Sequence, residues 1–316
     1  MEEVKCEEIM PQSSKIVVFD ADLKICAAFE ALFENNIEVA PIWDSSYKGY
    51  ITMLTFTDLI DLMCSTTKLH SQTLNNPENL ETIYSQLNHS SIRHTVVEVK
   101  KRISINLNSV EPTDSLYEAA SIILKNNTHA LPVIFSEDDL TCLYILTPKR
   151  LLTFLVKVLP ELSSTMEQNL VVDSSRVSPY LFSSVAYPDS TLLNVLEIFA
   201  RGAPVVPVVS RGQKNLLHLI SRFDLMNRFY KDTIPTFMDF SAFVFKNHST
   251  PIQDLVKLPT DLVKDSTLFS YQNTKISKVI KQLLDHSLQI QVILDENNAV
   301  LCVVDSLSLL VYFVQK

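Results

Sequence analysis

Two short stretches of the sequence place a carboxylate three residues after a hydroxyl, where an apolar run ends. In MLTFTDLI the two residues are Thr55 and Asp58, and in HLISRFDLM they are Ser221 and Asp224. A hydroxyl and an acidic residue at this spacing resemble a helix capping box. The alternative is that the carboxylate, an acceptor with two oxygens, holds a ligand. The residues alone favour the cap, and one side chain can serve both roles.

The composition excludes several classes of enzyme. Only three glycines occur in 316 residues, so neither a phosphate-binding loop nor a dinucleotide fingerprint can be built. There is no GxSxG or HExxH motif and no paired metal-ligand motif. The five cysteines are scattered without a CxxC pair, which argues against a zinc site or a disulfide framework.

Charge and hydropathy argue against binding to nucleic acid or membranes. The formal net charge is −9, which disfavours a nucleic-acid backbone or an acidic membrane surface as a partner. The apolar run at 151–159 is too short to cross a bilayer and carries Lys157. The start, MEEVKCEEIM, lacks the apolar region of a signal peptide. We expect an intracellular protein, located in the cytoplasm or also in the nucleus.

A unit of helix, strand, turn, strand and helix recurs four times along the chain. In the first unit, 39–43 and 50–54 are predicted strands joined by a turn at 44–48. The units align on one strand position, which is occupied by Pro41, Pro132, Pro207 and Gln291. Seventeen residues further on stand Asp58, Asp224 and Ser308, and Arg150 takes this place in the second unit, whose turn is one residue longer.

The repeat predicts small sheets, each covered on one side by two helices. The strand prolines are expected at an edge or at a strand start, because proline cannot donate to a ladder. A unit of about 50–60 residues buries too little surface to be secure alone. We therefore expect the units to pair, with the boundary between the two pairs near 160–170.

These units resemble CBS domains, which form flat pairs known as Bateman modules. The chain is more closely similar to the gamma subunits of AMP-activated protein kinase, through CEEIMPQSSKIVVFDADLKICAAFEAL, VAPIWDSSYKGYITMLTFTDLIDLM and THALPVIFSEDDLTCLYILTPKRLLTFL. The resemblance implies an α+β fold of four CBS domains in two Bateman modules. The domains would span 13–75, 93–158, 170–232 and 252–316.

The resemblance also implies a regulatory subunit without catalysis of its own. Such a subunit has no tightly bound cofactor, and AMP, ADP or ATP act as regulatory ligands between paired CBS domains. Its partners are a catalytic alpha subunit of the kinase and a beta scaffold subunit. The alternative is a ligand-free structural adaptor in the same complex. An enzyme with appended CBS domains is disfavoured, because the four units leave no room for a catalytic domain.

The family pattern suggests which residues contact the nucleotide. Its aspartate binds two ribose hydroxyls, and its hydroxyl residues lie near ribose and phosphate. His129 matches a histidine that faces phosphate, although a lone histidine beside a strand is more often structural. Lys149 and Arg150 match a basic pair of the family at the start of a helix. Positive charge there opposes the helix dipole, which favours a phosphate ligand over a solvated turn. The implied nucleotide site comprises Asp58, Asp224, Thr55, Thr57, His129, Lys149, Arg150 and Ser221.

The chain departs from the family pattern mainly where phosphate would bind. Basic family residues are replaced by Glu38, by Ala130, and by Gln289 with Ile290, while Ser308 takes the place of the fourth aspartate. Arg201 lies close to a basic family position but not on it. Glu38 would repel phosphate. The departures predict a subunit that assembles normally but senses nucleotides weakly.

Overall fold

The computed structural model describes residues 1–13, 16–35, 37–71, 74, 77–95, 107–135, 140–158, 185–221, 236–255, 268–286 and 289–314. Within these ranges the four predicted units are present. In the first unit the strands β2 Val39–Asp44 and β3 Gly49–Thr55 confirm the predicted strands to within one residue at each end. The predicted boundary near 160–170 lies outside the described residues.

The units share one order of elements. The first contains β1 Phe19–Asp20, α1 Ile25–Glu34, β2, β3, α2 Phe56–His70 and then α3 Pro77–His89. The second contains α4 Leu116–Lys125, β4 Leu131–Phe135, β5 Thr141–Leu146 and α5 Pro148–Val158. The third contains α6 Leu192–Ala200, β6 Val205–Val209 and β7 Leu216–Ser221, followed by α7 Phe237–Asn247 and α8 Ile252–Leu255. The fourth contains β8 Phe269–Tyr271, α9 Ile276–Asp285, β9 Ile290–Leu294, β10 Val300–Asp305 and α10 Ser306–Val314.

Each unit is built on an antiparallel hairpin with a short parallel strand beside it. In the first unit β1 pairs with β2 and β2 pairs with β3. Single bridges, such as Val110 to Val133 in the second unit, take the place of the short strand where it is not formed. The hairpin register brings the end of one strand beside the start of the other, as in the pairing of Val39 with Thr55. Helix α2 begins at once after this pair.

The expectation that the strand prolines lie at a sheet edge or a strand start was wrong for Pro41, whereas Pro132 and Pro207 lie in two-stranded sheets, in which each strand is an edge. Pro41 lies in β2, the central strand of the first sheet. The second unit shows why this is tolerated: Val110 donates to the carbonyl of Pro132 and accepts from the N–H of Ile134. The nitrogen and the carbonyl oxygen of Pro132 point to the same side of the strand. The hydrogen bonds to Val110 begin only at that carbonyl, so the proline nitrogen lies one position before the first of them. The missing donor therefore costs no ladder hydrogen bond.

The units join through both their helices and their sheets. Helix α2 of the first unit packs on α6 of the third, where Lys68 Nζ lies 2.8 Å from Glu197 Oε1. Helix α10 of the fourth unit packs on α4 and α5 of the second. The sheets of the third and fourth units share a separate apolar core that includes Val205 and Val292. No helix in the described ranges is both long and apolar enough to span a membrane.

Segments that precede a unit lie against a different one. A 3-10 helix at Cys6–Ile9 packs on the second unit, where the N–H of Cys6 donates to Asp114 and the N–H of Leu116 donates to Val4. Conversely, Ile92 precedes the second unit, and its backbone N–H donates to the carbonyl of Leu23 in the first unit. The N-terminal segment thereby reaches the start of α5, where Lys149 and Arg150, two of the predicted site residues, lie.

Candidate functional site

Thr55 and Asp58 form a complete capping box at the start of α2. The Thr55 backbone N–H and hydroxyl both donate to Asp58 Oδ2 at 2.7 Å, and the Asp58 N–H donates to Thr55 Oγ1 at 3.2 Å. The cap predicted from the sequence is therefore present. Asp58 remains partly exposed, so the cap does not bury the carboxylate that a ligand would need.

The surroundings of this cap are acidic. Burial, and secondarily the charge of Asp58, raises the pKa of Asp61 one turn further along α2. Glu38 is exposed, and its carbonyl accepts from the N–H of Phe56 at 3.0 Å, which fixes it beside the helix start. Thr57 is half-buried in the first turn. A phosphate entering here would meet the carboxylates of Glu38 and Asp58.

The third unit combines a buried hydroxyl with an apolar cleft. Ser221 is 4% exposed and pairs with Val205 at the end of the hairpin. Val205 also lines a cleft between the third and fourth units. The cleft is lined by Val185, Ala203, Pro204, Val205, Pro207, Lys214 and residues 300–303. The lining is apolar, but the cleft is narrow, with room for about one water molecule. Asp224, the expected carboxylate of this unit, lies outside the described residues.

His129 faces a carboxylate of another unit. Its Nε2 lies 3.7 Å from Oδ2 of Asp305, and the imidazole is 46% exposed whereas the Asp305 side chain is 6% exposed. Asp305 ends β10, directly before α10. Asp305 was not among the site residues predicted from the sequence. The sequence feature that could have indicated it is the order of residues in VVDSLSLL, where the acidic residue stands three positions before the second serine, Ser308.

Arg150 holds the N-terminal segment. Its Nη1 donates to the carbonyl of Ile9 at 3.3 Å, and its guanidinium lies 5.9 Å from the ring centroid of Tyr144. The Tyr144 hydroxyl donates to the carbonyl of Cys6 at 2.5 Å. Burial raises the pKa of the Cys6 thiol to about 12, which disfavours the thiolate form. Lys149 is half-buried in the first turn of α5.

Replacing Arg150 with alanine is expected to loosen the N-terminal segment. The variant loses the hydrogen bond to Ile9 and the contact with Tyr144, so amide exchange in a peptide covering residues 1–13 should rise about three- to tenfold. Hydrogen exchange followed by mass spectrometry measures this. Lys149→Ala, one residue away, is the control and should leave the exchange unchanged. Equal exchange in the Arg150 variant and the wild type would contradict the contact.

The structure thus brings the predicted residues together only in part. Thr55 and Asp58 meet in one box, while Ser221 lies beside the apolar cleft. His129 and Arg150 each contact a group that the sequence did not indicate. Arrangements of this kind can bind a small molecule, and the described residues of the site show no nucleophile with an adjacent base.

Comparison with known proteins identifies the kind of protein. The model of the CBS domain family matches residues 80–157. A Methanocaldococcus jannaschii protein, described as an archaeal homologue of the AMPK gamma subunit, has a similar fold with a TM-score of 0.71 and 18% identity, covering 98% of this chain and 100% of its own. A conserved Pyrococcus horikoshii protein gives a TM-score of 0.54 at 11% identity and 97% coverage of this chain. A CBS domain therefore matches at 80–157, the chain has the fold of these solved structures, and the predicted fold class is confirmed.

The curated relatives narrow this class. The human 5'-AMP-activated protein kinase subunit gamma-3 is 34% identical over 237 residues, which are 72% of this chain and 44% of that protein. The Dictyostelium discoideum subunit gamma is 28% identical over 70% of this chain and 37% of its own length. The chain is thus a divergent relative of the gamma subunits of AMP-activated protein kinase, spanning less than half the length of these relatives.

Proposed function

We propose that the chain is a non-catalytic regulatory subunit of an AMP-activated-type protein kinase. It binds AMP, ADP or ATP between paired CBS domains and assembles with a catalytic alpha subunit and a beta scaffold subunit. The domain boundaries at 13–75, 93–158, 170–232 and 252–316 are part of this proposal. Its support is the similarity to gamma subunits along about 70% of the chain.

The observation that carries nucleotide binding is the partly exposed carboxylate of Asp58 at the start of α2. Its Oδ2 serves the cap, and an ionised carboxylate is an acceptor whose charge suits the two hydroxyls of a ribose diol. In the third unit Ser221 stands at the matching end of the hairpin, where it pairs with Val205. We assign Asp224 the same role there as Asp58, together with the hydroxyls of Thr55, Thr57 and Ser221.

Sensing is proposed to be weak, because the charges that bind phosphate are few. His129, Lys149 and Arg150 are the assigned phosphate contacts, but Arg150 is engaged with Ile9 and His129 faces Asp305. A charge-assisted hydrogen bond contributes about 1.5–3 kcal/mol. The loss of several such bonds lowers affinity by orders of magnitude, at about 1.4 kcal/mol per tenfold.

The second candidate is a structural adaptor that binds no ligand. It is favoured by the structural duties of three proposed ligand residues: Asp58 caps a helix, Arg150 holds the N-terminal segment and His129 lies against another unit. Such a subunit would still hold the kinase and beta subunits together.

Calorimetric titration of AMP, ADP and ATP into the full chain, co-expressed with alpha and beta subunits, separates the two candidates. We expect weak binding at one or two sites per chain. A folded, assembled protein that gives no heat with any nucleotide would support the adaptor. Micromolar binding at several sites per chain would contradict weak sensing while supporting the regulatory role.

A further inference from the structure

Helix α9 of the fourth unit carries a row of exposed lysines. Lys275 directly precedes the helix, and Lys278 and Lys281 follow at intervals of three residues. Residues at this spacing lie near one another on a helix, so the row extends along one side of α9 for about 9 Å. The three residues are called the lysine stripe below. The stripe is a basic surface on a chain whose formal net charge is −9.

The first helices of the other units, α1, α4 and α6, have no such stripe. The four helices match in their buried positions, so their residues can be compared one by one. At the third and sixth helix residues, where α9 has Lys278 and Lys281, the other three carry acidic or neutral side chains: Ala27 and Glu30, Glu118 and Ser121, Asn194 and Glu197. The sixth position can serve contacts between elements, because Glu197 pairs with Lys68 there. The fourth unit reverses the charge at this position.

The lysine stripe works against the stability of its own helix. Lys278 lies in the first turn, where the positive end of the helix dipole disfavours a cation, and this turn contains no acidic residue. Like charges one turn apart also repel each other. Within the described ranges neither Lys278 nor Lys281 forms an ion pair with a carboxylate. Proteins break local rules of this kind mainly at functional sites.

The surroundings of the stripe indicate the class of partner. A membrane-binding helix inserts its apolar face into the lipid, but the apolar face of α9 lies fully buried in the core shared with the second unit. A lipid-binding cluster contains about four to eight basic residues, more than the stripe supplies. The net charge disfavours nucleic acid. A short acidic protein segment needs only a few carboxylates one helical turn apart, which is the spacing of the lysines.

We propose that the lysine stripe of α9 is a docking surface for an acidic segment of another protein, with Asp or Glu residues about one helical turn apart. The carboxylates pair with Lys278 and Lys281 and compensate the positive charge at the start of the helix. Because the lysines are exposed, added salt screens these ion pairs and weakens the docking. The proposal goes beyond the proposed function, since it requires no nucleotide.

The test measures binding of a short fluorescent peptide, with Glu at every third or fourth position, to the full chain by fluorescence anisotropy. We expect Lys278→Glu combined with Lys281→Glu to lower the affinity at least tenfold, and added salt to weaken binding to the wild type. The matched control is Lys24→Glu combined with Lys125→Glu, which changes the net charge equally at two exposed lysines of other helices. The control should bind as the wild type does.

Thermal unfolding of the same variants separates docking from a structural role. Lys278→Glu places a carboxylate in the first turn of α9, so its unfolding midpoint should rise by about 1–3 °C although peptide binding falls. The neutral variant, Lys278→Gln combined with Lys281→Gln, retains the fold and should show a smaller loss of binding.

Three results would overturn the proposal. The first is a wild type that does not bind the Glu peptide, or binds it no better than a peptide with Gln in place of Glu. The second is equal affinity in the stripe variant and the wild type, or an equal loss in the control. The third is binding of anionic vesicles or DNA, but not of the peptide, through the same lysines.

Discussion

Replacing Phe29 with alanine is expected to lower the free energy of unfolding by about 3–5 kcal/mol, the usual cost of deleting a buried phenylalanine ring. Phe29 lies in α1 and is fully buried. Its ring centroid is 5.1 Å from Phe237, 5.9 Å from Phe240 and 5.9 Å from Phe56. Phe237 and Phe240 belong to α7, which follows the third unit. The substitution therefore removes contacts that pack α7 against the first unit.

The measurement is urea denaturation followed by fluorescence and circular dichroism. Phe33→Ala is the matched control: it removes the same side chain from the same helix, and Phe33 is only half-buried. We expect it to cost less than half as much, since less apolar surface leaves the core. Equal losses in the two variants would mean that the contact of Phe29 with α7 does not add to stability.

Asp58→Asn is expected to weaken AMP binding by roughly ten- to hundredfold, with little change in stability. A ribose diol bonded to a carboxylate gains about 1.5–3 kcal/mol from the charged acceptor, and each 1.4 kcal/mol is about tenfold in affinity. Asparagine keeps an oxygen that accepts from Thr55, so the cap is largely retained. Calorimetry with AMP measures the affinity, and thermal unfolding measures the stability.

The chain contains a matched control for this substitution. Thr236 and Asp239 form the same box at the start of α7, with the Thr236 hydroxyl donating to Asp239 Oδ2 at 2.7 Å. Asp239 lies outside the proposed site. Asp239→Asn should therefore alter stability as Asp58→Asn does but leave AMP binding unchanged. If both variants bind AMP as the wild type does, Asp58 is a helix cap only.

The sequence predicted the local structure well because local structure follows local rules. The alternation of apolar runs and polar turns gave the hairpin strands of the first unit to within a residue. The spacing of Thr55 and Asp58 predicted a capping box, and the structure contains it. These features depend on residues close together in the chain, so their signal is present in any short window.

The position of the strand prolines was predicted less well. The rule that proline avoids central strands assumes a ladder on both sides along the whole strand. The parallel strand beside the hairpin is only a few residues long, as β1 shows. Sequence cannot give the point at which that ladder begins, and this point decides whether the missing N–H matters.

The sequence by itself determined the four repeated units, the capping role of Asp58 and the likeness to a family of CBS-domain proteins. Only the tertiary structure decided what the remaining site residues touch. Arg150 meets Ile9, 141 residues away in the chain, and His129 meets Asp305 of another unit. Contacts between distant segments depend on how whole units pack, and packing leaves no periodic or short-range pattern in the sequence.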